Sequence, residues 1–516
     1  MIETELKISL DARDATRLRR HPLLVELAEG EAATERLVSV YYDTPDHALA
    51  AAGIALRLRK IGRRWVQTVK AGRRAGGAGL FSHEEVEFPA PGARLVLDGD
   101  DPTGVFAAIA EAVGETPLSP VFETRIRRAS HRLRLPGGLV ELALDQGEVV
   151  AGEASAPILE VEMELVEGEV DAIFDLARRL FPQGPVNFAT ANKSTLGYRL
   201  AKGEAVQPAL KARKAGSLSY PAEATVETVA RDVFRDCFSQ IATNLLVVVG
   251  TEASEGPHQL RIGMRRLRTA FAVFGESLGK DRLAPLSNVA RDLGQVVGRL
   301  RDLDVLIEEV VGGAAALGLD APAHEALVRA LSARRDGVRA EVRAALTGPE
   351  ATAFVIDLLE LIEARGWLAP ADYSQTERLA APIGSVAPAL LAKRHRKALR
   401  MGRRIETLDA EALHELRKEL KKLRYTADVL DPIFPGKKVD AYLKALRDMQ
   451  DTFGSLNDAT MAMEYLAGPE APARDDPDAQ RAVGWTLGTL TVKVGDDRPT
   501  LFRRWADLAK TDVFWD

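Results

Sequence analysis

Two eleven-residue patterns, far apart in the chain, each set a histidine and three cations at i, i+3, i+7 and i+10. They are His258, Arg261, Arg265 and Arg268, then His414, Arg417, Lys421 and Arg424. That spacing puts all four side chains on one stripe of an α-helix. Each member of the second set follows its counterpart by 156 positions, and Gly298, Leu300 and Asp302 return as Gly454, Leu456 and Asp458 at the same offset. No acid lies within Pro257–Ala270 to partner the first stripe. Like charges aligned on one face repel unless an anion sits against them, so two such faces in register point to a polyanion. The segment Lys393–Arg404 adds Lys393, Arg396 and Arg400 to the second repeat only, and residues 393–424 hold twelve Lys or Arg against five acids.

A second constellation lies in the first 200 residues, where short segments alternate with period two. In a strand, residues i, i+2 and i+4 share a face. Glu3, Glu5 and Lys7 therefore point one way, as do Arg57 with Arg59, Thr68 with Lys70, Glu85 with Glu87, Glu141 with Asp145, and Glu160 with Glu162 and Glu164. Apolar residues such as Leu6, Leu56, Leu142 and Val161 stand behind them. One such strand is ordinarily part of a sheet with a solvated face. Six, with charges of mixed sign, fit a closed barrel with a charged interior and an apolar outer wall under helices. Clustered carboxylates call for a cation, and oxygen-only donors favour Mg²⁺ or Mn²⁺ over zinc. The interleaved arginines and lysines suit phosphate oxygens. Metal-assisted phosphoryl transfer to water needs both.

Glu3-Thr4-Glu5-Leu6-Lys7 resembles the ExExK signature of the CYTH domain, the triphosphate tunnel metalloenzymes. YYDTPD (Tyr41–Asp46), LRLR (Leu56–Arg59), TVK (Thr68–Lys70), FETRIRR (Phe122–Arg128), ELALDQGEV (Glu141–Val149), LEVEMEL (Leu159–Leu165) and NKSTLGYRL around Lys193 extend the likeness. The resemblance implies an eight-stranded antiparallel tunnel that binds a triphosphate and hydrolyses it with a divalent metal. By position it makes Glu3, Glu5, Glu160 and Glu162 metal ligands, and Lys7, Arg57, Arg59, Lys70, Arg128 and Lys193 phosphate contacts. Lys7, Glu85, Glu141 and Asp145 become the catalytic set, the carboxylates tuning charge or positioning water. Ser82-His83 stands where family members often carry an arginine.

The basic repeats are similar to the CHAD domain over residues 223–510, through HQLRIGMRRLRTAF (His258–Phe271), LRDLDVL (Leu300–Leu306), HELRKELKKLRYTADVL (His414–Leu430) and GSLND (Gly454–Asp458). This likeness implies binding of inorganic polyphosphate. Asp302, Asp304 and Asp458 are expected to pair with and orient the arginines. No nucleophile, base or metal cluster stands out in this half, so it reads as a binding module. Aromatics that would stack bases are missing near the stripes, Tyr425 aside, which ranks nucleic acid below polyphosphate.

The alternation predicts an α+β N-terminal domain over 1–202 with flanking helices near 11–27, 103–113 and 170–181, and the resemblance implies that its strands form an eight-stranded antiparallel tunnel barrel. A linker over 203–222 leads to an all-α duplicated helical bundle over 223–516, its repeats at about 223–370 and 380–510. Net charge is −6 and neither half is globally basic, so polyanion binding must come from segregated charge. One cysteine, Cys237, excludes a disulfide framework and fits a reducing cytoplasm, where polyphosphate granules could hold the protein. The start resembles no secretory signal, and no uninterrupted apolar run reaches the ~18 residues that span a bilayer. Tripolyphosphate hydrolysis with polyphosphate binding is the leading expectation. A non-catalytic polyphosphate-binding protein with a decayed tunnel stays open, as does a hydrolase or cyclase acting on thiamine or nucleoside triphosphates.

Overall fold

The alternating segments form β1 (Ile2–Ser9), β2 (Ala33–Asp43), β3 (Ala55–Ile61), β4 (Arg64–Ala75), β5 (Leu80–Ala90), β6 (Ser119–Leu135), β7 (Gly138–Ala151), β8 (Ala154–Gly168) and the short β9 (Asn187–Phe188). The structure, a computed structural model, describes the chain apart from residues 1, 76–78, 99–100, 102, 208, 435, 470, 472 and 516. The side chains of 2–3, 72–75 and 82–84 also lie outside the described part. The first eight strands pair antiparallel in the order β5-β4-β3-β2-β6-β7-β8-β1, and β1 pairs again with β5. Glu5 thus stands opposite Phe81 on one side and Glu164 on the other. Closure removes every edge, so period-two alternation sorts each strand into an inward and an outward set.

Among the described residues the helices of this part are α1 (Ala12–Arg19), α2 (Leu23–Glu26), α3 (Ala48–Ala51), α4 (Val105–Val113), α5 (Asp171–Leu180) and α6 (Lys193–Ala201). Outward Leu56 and Val69 bury against Leu49 of α3 and Ile109 of α4, while α1 and α5 lie on β8. The single helix expected near 11–27 is two, because Pro22 lacks an N–H and restricts the residue before it. Asn192 caps α6 by accepting the Thr195 N–H. The helix packs on a buried cluster of Leu37, Tyr41, Phe122, Ile126 and Val149. Contact there is close: a Cβ on Gly197 would lie 2.0 Å from the Phe122 ring, which itself stacks on Tyr41 at 4.5 Å.

The chain divides into two compact units, Met1–Leu210 with Val355–Gly366, and Lys211–Phe354 with Trp367–Asp516. Its remaining helices are α7 (Val226–Gly250), α8 (Glu255–Leu278), α9 (Lys280–Val305), α10 (Gly312–Ala315), α11 (Ala321–Thr347), α12 (Pro349–Glu363), α13 (Tyr373–Ala380), α14 (Ile383–Met401), α15 (Ala410–Leu430), α16 (Lys437–Ala467) and α17 (Pro477–Lys510). Moved by 156 positions, α7, α8, α9 and α11 fall on α14, α15, α16 and α17, so the repeat in the motifs is a repeat of whole helices. By length and composition α7 could cross a membrane. Its Val229, Val233, Phe234, Phe238 and Ile241 are buried. Helices α8 and α15 pack on each other, which brings the two cationic stripes together.

Gly197→Ala should destabilise the first unit by about 1–3 kcal/mol, because the Phe122 ring must move within a filled core. Denaturant unfolding followed by a probe in that unit checks this, and an unchanged midpoint would contradict the packing of α6.

Candidate functional site

The closed barrel holds a cavity of about 860 Å³, lined from several strands and α6 by Glu5, Lys7, Tyr41, Arg57, Arg59, Lys70, Glu85, Arg128, Glu162, Glu164 and Lys193. Charges this enclosed must find partners. Lys7 Nζ lies 2.9 Å from Glu5 and 2.6 Å from Glu162. Arg128 forks onto Asp145, Nε at 2.8 Å and Nη2 at 2.7 Å, and also bonds Glu162. Lys193, in the first turn of α6, donates to Glu162 and pairs with Asp145, both at 2.7 Å, and it also pairs with Glu160.

Burial alone would push the Glu162 carboxyl up, but Lys193, Lys7 and Arg128 outweigh it and hold the group well below its ordinary range. Burial would likewise lower the Lys7 pKa, yet Glu162, Glu5 and Glu160 raise it well above the usual value. For Glu160 burial prevails over Lys193, and its pKa rises. Oxygens of Asp145, Glu160 and Glu162 lie within 4.8 Å of one another, close enough to share a metal. The Lys193 ammonium already bridges all three.

Across the cavity, Glu85 accepts from Arg57 at 3.1 Å and meets Lys70 at 2.6 Å. Arg59 donates Nε to the Ser39 hydroxyl at 3.1 Å and has no carboxylate ion pair among the described residues. Burial, with Arg57 and Arg128 nearby, brings its pKa down to about 10. Glu164 has the opposite problem. Burial, Glu5 and Glu141 all push its carboxyl pKa up. One wall therefore holds a guanidinium short of negative charge, and the other a carboxylate short of positive charge. The second wall presents carboxylate oxygens of Glu5, Glu162 and Glu164, the donor type of a hard divalent cation, with the Lys7 ammonium between Glu5 and Glu162.

In the second unit, Arg261 pairs with Asp302 at 2.7 Å. Arg265 donates to the Tyr425 hydroxyl at 2.8 Å, its guanidinium 5.2 Å over the ring. The buried Arg417 Nε has no hydrogen-bond partner among the described residues, and Lys421 makes no ion pair there. Burial first, then Arg265, Arg417 and Arg261, pull the Lys421 pKa down to about 6.

Residues 1–198 match the family model of the CYTH domain, and residues 232–467 match that of the CHAD domain. The chain joins a CYTH domain to a CHAD domain. An inorganic triphosphatase of Haemophilus influenzae is 30% identical over 203 residues, which cover 38% of this chain and 54% of that protein, so the chain matches about half of this relative's length. An uncharacterized protein of Mycobacterium tuberculosis is 27% identical over 477 residues, 84% of this chain and 82% of its own. The crystal structure of the CHAD domain from the plant Ricinus communis shares the helical fold, with TM-score 0.50 and 24% identity, over 58% of this chain and 98% of that one.

Within the CYTH barrel, Glu5, Lys7, Arg57, Arg59, Lys70, Glu85, Arg128, Glu162 and Lys193 line one cavity. The Glu3 side chain lies outside the described residues. Asp145 and Glu160 are buried, held by Lys193, and line no part of the cavity; Glu141 stands off it, 3.8 Å from Arg132. Glu164 and Tyr41 were not among the expected site residues. Glu164 continues the alternation of Glu160 and Glu162, and Tyr41 pairs with Arg57 in register, so each carried a signal in its strand phase.

In the CHAD domain the expected cations do not form a single row. Arg261, Arg265, Arg417 and Lys421 converge. Arg268 and Lys393 line a separate cavity of about 450 Å³. Arg424 donates to Gln450 at 3.1 Å, His258 is half-buried, and His414, Arg396 and Arg400 are exposed. Asp304 corrects the expectation that it orients a stripe arginine. It is buried and faces Arg339 of α11 at 3.8 Å, because two residues beyond Asp302 a helix has turned by more than half a revolution.

Lys193→Met should cost the CYTH barrel about 3 kcal/mol or more by stranding three buried carboxylates. In the wild type, Asp145 and Glu162 are held low, so their contribution is present at neutral pH and fades on acidification. Without Lys193 their pKa values should rise above the unfolded ones, reversing the slope. Unfolding from pH 7 to 5 should then show the variant gaining more stability than wild type, whose Asp145 and Glu162 stay ionised in both states over that range and lose their contribution only below about pH 4. Parallel slopes from pH 7 to 5 would contradict the network.

Proposed function

We propose that this chain hydrolyses inorganic triphosphate in the CYTH barrel with a divalent metal, and binds inorganic polyphosphate on the CHAD cluster. The observation that carries the first part is the paired deficit in the cavity: among the described residues Arg59 has no carboxylate ion pair and Glu164 no cation ion pair, on facing strands of one barrel. A metal triphosphate would satisfy both. Arg57, Arg59 and Lys70 would hold phosphoryl oxygens, and Glu5, Glu162 and Glu164 would hold the ion, Mg²⁺ or Mn²⁺. When bound, the ion supplies Lewis-acid activation and neutralises charge on the phosphates. Lys7, fixed by Glu5 and Glu162, stays protonated and faces the same space. Glu85, paired with Arg57 and Lys70, would orient the attacking water. Likeness to the Haemophilus influenzae inorganic triphosphatase supports this substrate.

The CHAD cluster supports polyphosphate through Arg265, Arg417 and Lys421, which make no ion pair among the described residues and are set by duplication on two helices in contact. Binding would release counterions from the chain and weaken steeply with salt. Retention on cytoplasmic polyphosphate granules follows from the same reading.

Purified protein should release phosphate from tripolyphosphate with Mg²⁺ or Mn²⁺. Glu5→Gln should abolish turnover, and Arg59→Ala should raise KM more than it lowers kcat. Activity on thiamine triphosphate or ATP, with none on tripolyphosphate, would overturn the substrate. In the CHAD domain, polyphosphate should return a proton to Lys421. The free amine is neutral above its pKa of about 6, so affinity should fall as pH rises from 6 to 8. Calorimetry in buffers of different ionisation enthalpy should read roughly one proton taken up at pH 8, and Lys421→Met should read none. Equal uptake by both proteins would refute the assignment.

A further inference from the structure

We propose that Lys421 is a reactive amine that takes an acyl group from acyl phosphates, and that this modification removes a cation from the polyphosphate site. The proposal rests on the anion-binding reading of the CHAD cluster for its consequence, though not for the reactivity itself.

The geometry around Lys421 is unusual for a lysine near a surface. Half-buried and without an ion pair among the described residues, Lys421 stands on its own helix between Arg417, one turn earlier, and Tyr425, one turn later. The Tyr425 hydroxyl accepts from Arg265 of the packed helix α8; Arg261 of α8, Asp458 of α16 and Asp302 of α9 are the other charges acting on the cluster. Few of these charges cancel. Asp302 is taken up by Arg261 at 2.7 Å. Arg265 meets the Tyr425 hydroxyl at 2.8 Å, and the buried Arg417 Nε has no hydrogen-bond partner among the described residues. Asp458 is itself pushed towards its neutral form by burial. A proton on Lys421 would therefore sit among guanidinium groups with little to offset them, and the amine gives it up at a pKa of about 6. An ordinary lysine is unprotonated in about one molecule per thousand at pH 7.4. Lys421 would be mostly the free base, and a lysine activated by neighbouring cations is a recognised route to a nucleophile.

The same arginines select the reagent. Guanidinium forks bind phosphoryl oxygens, so the phosphoryl end of an acyl phosphate would be held beside the amine. The nitrogen lone pair attacks the acyl carbon, and a C–N bond forms. The bond from that carbon to the bridging oxygen breaks, its electron pair leaving with inorganic phosphate. The surplus proton on nitrogen goes to water, and no redox change occurs. The product amide cannot be reprotonated when polyphosphate arrives, so the cluster permanently loses the charge that binding would otherwise restore.

The test treats the full chain with acetyl phosphate, and separately with the neutral reagent N-hydroxysuccinimidyl acetate, and follows each lysine by peptide mass spectrometry. Lys418 and Lys422, exposed on the same helix, are the internal references. With both reagents Lys421 should react at least about tenfold faster at pH 7.4, and its rate should level off above roughly pH 7 while theirs keep climbing. Long-chain polyphosphate should slow Lys421 by about tenfold or more and leave the references unchanged, since only the buried cluster would be covered. A Lys421 rate equal to or below the references with the neutral reagent overturns the reactive amine, whatever the protein does with polyphosphate. A fast Lys421 with equal polyphosphate retention before and after acetylation overturns the proposed consequence. Failure of the untreated protein to retain polyphosphate would instead count against the binding reading under Proposed function.

Discussion

Taking an ion out of water costs several kcal/mol unless an opposite charge or strong hydrogen bonds replace the solvent. An eight-stranded barrel that closes on charged side chains must meet that demand at every inward position. Glu162 is the hub by which it does so. Lys7, Arg128 and Lys193 reach it from β1, β6 and α6, and together they hold its buried carboxyl well below the ordinary range. These contacts fix β1 against β8 and dock the first turn of α6. The barrel's geometry and its electrostatics are therefore one arrangement.

What the network leaves unsatisfied is as informative as what it joins. Arg59 and Glu164 both border the cavity, and neither has an ion pair among the described residues. A protein core without a ligand would gain by losing either charge, since burying well-packed apolar groups instead is often neutral or stabilising. In the CHAD domain the imbalance has one sign. Duplication set four cations on two helices in contact, but the halves are not equivalent. Tyr425 holds Arg265 from the second repeat, whereas the position 156 residues earlier is Thr269. Arg265 and its counterpart Lys421 thus have different neighbours.

Much of this could be read from residue order because it depends on periodicity. Alternation over Glu3–Lys7, Arg57–Arg59 and Glu160–Glu164 assigns faces, and an offset of 156 residues announces repeated helices. Three features could not be read so. Lys193 is delivered by a helix, so strand phase says nothing of which acids it meets. Glu160, Glu162 and Glu164 share one face, yet strand register and closure decide that Glu160 turns to Lys193 while Glu164 borders open space. Arg396 and Arg400 have the right type and spacing for an anion, but the packing of α14 leaves them exposed. In each case the deciding contact joins elements remote in sequence.

The most direct test is a crystal structure of the full chain with tripolyphosphate and Mn²⁺, the metal located by its anomalous scattering. The expected result is a manganese peak among Glu5, Glu162 and Glu164, with the phosphate chain running towards Arg57 and Arg59 and Lys193 still seated on Asp145. Manganese at Asp145 and Glu160 with Lys193 displaced, or tripolyphosphate bound outside the barrel, would contradict it.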